Sequence, residues 1–222
     1  MRRLGIVIAV ILAFAAPAAQ AAIVFTNLGT NSPPSMLTIA PVTALDTTPQ
    51  AAIVDGTPTG SIPATPLTGN LTFSQNLRKE TVPSTWATWS NGYTGPVFEY
   101  NTDPTTVTIT LPAGSTAFYA YVEPDNFGAY NVTAVTNTGV SSGAISVTGD
   151  SGANGFGFNT TDTAETIASV TITVDAGAGG FAVGEFGLSE TPNQAIPALN
   201  WVGLVVLAGL LALGGLIVLR RL

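Results

Sequence analysis

The chain is predicted to be all-β, an antiparallel β-sandwich or jelly-roll-like ectodomain. A signal peptide precedes it and one transmembrane helix follows it. Three observations predict this: short segments of alternating Thr and β-branched residues at spacings near ten, Gly and Asn turns between them, and two charge-free apolar runs near the termini. Alternation with period two is the mark of a half-buried strand, and its regular recurrence between turns is that of a sandwich.

Met1-Arg2-Arg3 is a short basic region, and Leu4 to Ala16 is apolar without charge. Pro17 breaks that run, and Ala19-Gln20-Ala21 supplies the small-x-small pattern of a cleavage site. Residues 1–21 therefore read as a secretory signal peptide with Ala19 and Ala21 at the cut.

Residues 22–90 are rich in Pro and Thr, with brief apolar runs at Ile23–Phe25, Met36–Ile39 and Leu71–Phe73. Proline is excluded from central strands, so this stretch reads as edge strands joined by polar loops, with Ala44–Pro66 the least structured piece. Residues 91–190 read as the main sandwich. Thr106–Leu111 alternates Thr with Val, Ile and Leu, and Pro112–Ser115 is a turn. Thr116–Glu123 follows as hairpin partner or neighbour. Further strands are expected at Tyr130–Val135, Ala144–Val147, Gly155–Phe158, Ile167–Val174 and Gly180–Leu188.

Residues 191–200 form a linker, and Trp201–Leu219 carries no charge and a dozen Leu, Ile or Val residues. As a helix it is about 28 Å long, close to the hydrocarbon thickness of a bilayer. Those residues favour insertion by about 6 kcal/mol before the glycines subtract. Arg220 and Arg221 begin a basic end, residues 220–222, which stays cytoplasmic under the positive-inside bias.

Between the two apolar ends lie all thirteen acidic residues and only two cations, Arg78 and Lys79, a formal charge of −11. Such a surface repels nucleic acid and anionic headgroups, which excludes basic-patch binding. Cysteine and histidine are both absent, which removes disulfides, thiolate and imidazole chemistry, and Cys- or His-ligated metals. A paired-carboxylate glycosidase is the common hydrolase mechanism left open. The acids near expected strands are Glu99, Asp103, Glu123, Asp125, Asp150, Asp162, Glu165 and Glu185, and their spacing selects no pair. The expectation is no enzyme and no required cofactor. Asp125-Asn126 and Asp150 to Asn154 place oxygen ligands in Gly-containing loops, a speculative calcium site, though the same residues form turns for backbone reasons. Trp86, Trp89, Tyr93, Tyr100, Tyr119, Tyr121 and Tyr130 could stack on sugars or pack in a core. Tyr119 and Tyr121 share one strand face, Phe118, Ala120 and Val122 the other, and either could face the interior.

Ile196-Pro197-Ala198-Leu199, then Trp201 and Gly203, the apolar run and the Arg pair resemble the IPTL-CTERM sorting signal of exported Gram-negative proteins. Ala198 stands where that family has Thr, and Trp201 sits one place early. The resemblance implies recognition by a membrane-embedded sorting protease. Pro197 suits that role physically, because it keeps the segment extended. A plain anchor with Trp201 at the interface is the other reading. The stretch Val107–Leu188 is similar to β-sandwich domains of PEP-CTERM-type exported proteins, carried by Thr108–Gly114, Gly155–Phe158 and Ile167–Ile172 leading to Gly180–Phe186.

The expected function is that of a non-catalytic envelope or cell-surface protein, anchored on the periplasmic side or sorted to the surface, with the membrane, a sorting protease and a glycan or other envelope component as partners. A carbohydrate- or calcium-binding module is the alternative, and a glycosidase the more distant one.

Overall fold

A computed structural model describes residues 22–38, 40–101, 105–161 and 165–189. The expected leader with Ala19 and Ala21, the expected sorting motif Ile196, Pro197, Ala198, Leu199, Trp201 and Gly203, the apolar run 201–219, and Arg220 and Arg221 lie outside the described residues, as do Asp103 and Asp162. Among the described residues no helix is long and apolar enough to cross a membrane.

In chain order the strands are β1 (Ile23–Gly29), β2 (Met36–Leu37), β3 (Ala40–Pro41), β4 (Thr43–Ala44), then the one-turn helix α1 (Thr48–Ala51), β5 (Pro58–Pro63), β6 (Asn70–Thr81) and β7 (Pro96–Tyr100). They continue with β8 (Thr106–Thr110), β9 (Ala117–Pro124), β10 (Ala129–Thr136), β11 (Ile145–Thr148), β12 (Asn154–Thr160), β13 (Ser169–Val174) and β14 (Phe181–Ser189). Every strand expected from Thr106 onward is present. The Ala44–Pro66 stretch holds more structure than its prolines suggest. Asp46 Oδ1 accepts from the Thr48 amide at 2.8 Å to start α1, and β5 pairs with β6.

Twelve strands form one antiparallel sheet whose main path runs β1-β12-β9-β14-β7-β6-β8-β13-β10-β11, with β4 on β14 and β5 on β6; β2 and β3 pair separately. Two expectations change here. β8 and β9 do not form a hairpin, since β8 pairs with β6 and β13 while β9 lies between β12 and β14. β1 is an edge strand, whereas β6 runs inside the sheet, its twelve proline-free residues supplying donors to both sides.

The sheet curls so that its two halves face one another across a single apolar interior. Phe118, Phe156, Phe158 and Phe181 from one half meet Val107, Ile109, Val132 and Ile172 from the other. Phe118 stacks on Phe186 with ring centroids 6.5 Å apart, and Phe73 packs on Phe98 at 5.6 Å. Burying each such ring removes a large apolar area from water, the dominant favourable term here.

The outward faces of the two halves differ. On β8 and β13 the outward residues are threonines, paired across strands as Thr108–Thr171 (2.8 Å) and Thr106–Thr173 (3.1 Å) at the solvent boundary. On β7, β14, β9 and β12 the outward face is covered by a second apolar layer. The chain around β2 and β3 contributes Leu37, Ala40 and Val42, and the loop after β6 contributes Val82, Trp86 and Trp89. Both faces of β9 are therefore core: the Phe118 set faces the interior, and Tyr119 and Tyr121 face this cover. Close approach is what the glycines of these strands permit. A Cβ on Gly187 would lie 2.1 Å from the Tyr119 ring, and one on Gly155 would lie 2.7 Å from that of Tyr121.

Candidate functional site

Three of the acidic residues that the sequence scatters along the chain, Glu99, Glu123 and Glu185, lie on strands of this covered half. Register places Arg78 opposite Glu99, Glu99 opposite Ala182, and Ala182 opposite Glu123, so the two glutamates lie in one row across β6, β7, β14 and β9. Two strand spacings put their backbones about 9.5 Å apart. That is within reach of the separation used by paired-carboxylate catalysis, so their surroundings matter.

Neither carboxylate opens onto a groove. Glu123 is wholly buried. Its Oε2 accepts from the Trp86 indole at 2.9 Å, and its Oε1 from the Thr88 hydroxyl at 3.1 Å and the Gly152 amide at 3.2 Å. Burial outweighs those bonds and pushes its pKa above the ordinary glutamate value. Glu99, also buried, accepts from Arg78 Nε at 2.8 Å and Nη2 at 2.5 Å, and Arg78 Nε also lies 2.9 Å from Glu80. Burial again raises the Glu99 pKa, with Arg78 opposing and the charge of Asp125 adding to the rise.

Glu185, on the intervening strand β14, repeats the pattern. A β-bulge between Gly184 and Gly187 inserts one residue relative to β9, and Glu185 holds φ at +48° there. Gly184 and Glu185 thus both avoid the interior, and Phe186 returns to it. The Glu185 carboxylate accepts from the Trp89 indole at 2.7 Å and from the Asn91 amide at 3.1 Å. Burial raises its pKa, and burial, with a smaller contribution from the Glu185 charge, pushes the phenols of Tyr93, Tyr119 and Tyr121 well above their usual value.

Trp86 and Trp89, three residues apart on one loop, are thus each pinned by an indole N–H to a glutamate of the sheet, the buried Glu123 and the half-buried Glu185. Chemically the arrangement holds the cover down; its acceptors are filled from within the protein. The other end of the same loop is fixed by Lys79, itself buried, whose ammonium meets Asp55 and Thr81, each at 2.6 Å, and lowers the Asp55 pKa.

The aromatic candidates resolve in the same way. Trp86, Trp89, Tyr100, Tyr119 and Tyr121 are buried, and Tyr93 and Tyr130 are half-buried, so these rings form no exposed stacking strip. The residues proposed for calcium sit on two neighbouring turns. Asp125 and Asp150 are exposed, but the Asn126 amide donates to the Gly177 carbonyl at 2.8 Å. That of Asn154, nearly buried, donates to Asn27 Oδ1 at 2.9 Å and Gly155 O at 3.1 Å. Among the described residues no group of three or more His, Cys, Asp or Glu side chains is placed to hold a metal ion. Glu165 is half-buried before β13, with Oε2 lacking a hydrogen-bond partner.

Beside the pinned loop lies a hollow of about 230 Å³ lined by Thr85, Trp86, Thr88, Asp125, Phe127 and Gly149 among others. Phe127, at the tip of the β9–β10 turn, is 69% exposed. Sequence reasoning passed over this ring and over the Trp–Glu pairs; the only hint was the Trp86-x-x-Trp89 spacing. In comparisons with known proteins, no protein-family model matches the chain, and no match to a curated protein was found.

Proposed function

We propose that the chain is a non-catalytic component of a bacterial envelope, exported by its leader and held or sorted through its C-terminal tail. The observation that carries this reading is the charge-free run Trp201–Leu219 closed by Arg220 and Arg221, preceded by the Ile196-Pro197-Ala198-Leu199 segment. A segment of that length and composition is favourable in hydrocarbon, and the Arg pair retains its end on the cytoplasmic side. The acidic β-domain then stands outside. A structural role is supported by the employment of Glu99, Glu123 and Glu185, each bonded to Arg, Trp, Thr or Asn groups of the domain itself. A binding module is the second reading, favoured by the hollow at Asp125 and Phe127.

Mass spectrometry of the protein isolated from its native envelope tests the first reading. The expected termini are Ala22 and a cut near Ile196. Recovery of only the intact Leu222 end rejects sorting and leaves plain anchoring. A reporter fused after Ala22 and found active only in the cytosol rejects export altogether.

A further inference from the structure

We propose that the hollow between the β9–β10 turn and the pinned loop binds an organic cation, the ammonium or guanidinium of a lysine or arginine side chain on a partner polypeptide.

The turn is built to hold its residues still although they face solvent. The Asp125 amide donates to Gly180 O at 3.1 Å, the Asn126 amide to Ala178 O at 2.8 Å, and the Gly149 amide to Gly128 O at 2.9 Å. Gly149 permits this approach, since a Cβ there would lie 2.3 Å from the Asn126 carbonyl oxygen. That turn carries the Phe127 ring, 69% exposed, at the rim of the hollow, where an occupant with an apolar stem would cover it.

The hydrogen-bond inventory then selects the occupant. All three side-chain donors lining the hollow are committed to carboxylates, Trp86 and Thr88 to Glu123 and Thr85 to Asp55. Pro124 has no amide hydrogen to offer, and that of Asp125 is taken. Of the side chains, what faces the hollow with capacity to spare is an acceptor, the exposed Asp125 carboxylate, together with the negative face of the Phe127 ring. Arg78, whose charge reaches Asp125, is engaged by Glu80 and Glu99. A sugar asks for donors as well as acceptors, and an anion is repelled. A cation on an apolar stem satisfies both the ring and the carboxylate. The formal charge of −11 on the stretch between the apolar ends favours the approach of such a ligand.

The test uses the full chain in detergent micelles, titrated with acetyl-Ala-Lys-Ala-amide and followed by amide chemical shifts. Saturable shifts confined to residues 85–88 and 124–128 are expected, with binding weakened about threefold by Phe127→Ala and by Asp125→Asn. Asp150→Asn removes an exposed acid from the neighbouring turn that does not line the hollow, and should leave binding unchanged. The proposal is overturned if no saturable shift occurs there, if the same peptide with uncharged norleucine in place of lysine binds equally, or if Asp150→Asn weakens binding as much as Asp125→Asn. Saturation of the same residues by cellotriose or by calcium chloride would overturn it too. These outcomes are independent of how the C-terminal tail is processed.

Discussion

The two halves of the sheet bury the same kind of inner face but treat their outer faces in opposite ways. On β8 and β13, Val107, Ile109, Val170 and Ile172 point inward while threonines meet solvent. On β9 every residue from Ala117 to Pro124 is buried, because a second layer covers Tyr119, Tyr121 and Glu123. The open half needs only apolar packing on one side. The covered half encloses charged groups, and must therefore satisfy each of them. Its stability depends on a few hydrogen bonds as well as on area.

The strongest way to break this contrast is Glu123→Ala. It leaves the Trp86 indole, the Thr88 hydroxyl and the Gly152 amide without their acceptor, and should cost about 3 kcal/mol in thermal or urea unfolding. Thr171→Ala on the open half is the reference and should cost about 0.5 kcal/mol or less. Equal costs would show that the cover contributes nothing through Glu123. Next comes Gly187→Ala, whose new methyl must displace the Tyr119 ring; about 2 kcal/mol of destabilisation is expected, with a changed near-ultraviolet tyrosine signal.

A smaller effect lies in pH. Glu99, Glu123 and Glu185 have folded-state pKa values raised above the ordinary 4.5, so the folded protein keeps protons that the unfolded chain releases. Stability should therefore fall as pH climbs from about 4.5 through the raised values, by at most about 1.4 kcal/mol per pH unit for each group. Asp55 acts in the opposite sense: its pKa is lowered by Lys79, so its contribution is lost only as pH drops below 3.8. Melting temperatures between pH 5 and 8 should slope downward, and Glu123→Gln should flatten that slope. An unchanged slope in that variant would place the pH response elsewhere.

The open half was legible in the sequence because single-sided burial writes itself as alternation; Thr106–Thr110 and Ser169–Val174 are where expected. The strand at β9 was legible too, but not which of its faces was core, since both are. The partners of β8 were not readable. Antiparallel strands that are neighbours in sequence often pair, yet here long-range contacts place β6 beside β8 and β9 beside β14. The proline-rich first part concealed β6 for a different reason. Prolines at 58, 63 and 66 precede it, but none falls within Asn70–Thr81.

For the candidate site the asymmetry is sharper. Composition alone removed histidine and cysteine chemistry and left carboxylates, and it set the −11 charge of the stretch between the apolar ends. Period-two patterning determined the all-β class. Only the tertiary structure decided that Glu99 and Glu123 share a row, and that Trp86 and Trp89 donate to carboxylates rather than stand exposed. The reason is physical: patterning along a strand reports which residues avoid water, whereas a hydrogen bond between residues 37 or 96 positions apart depends on where distant backbones come to lie.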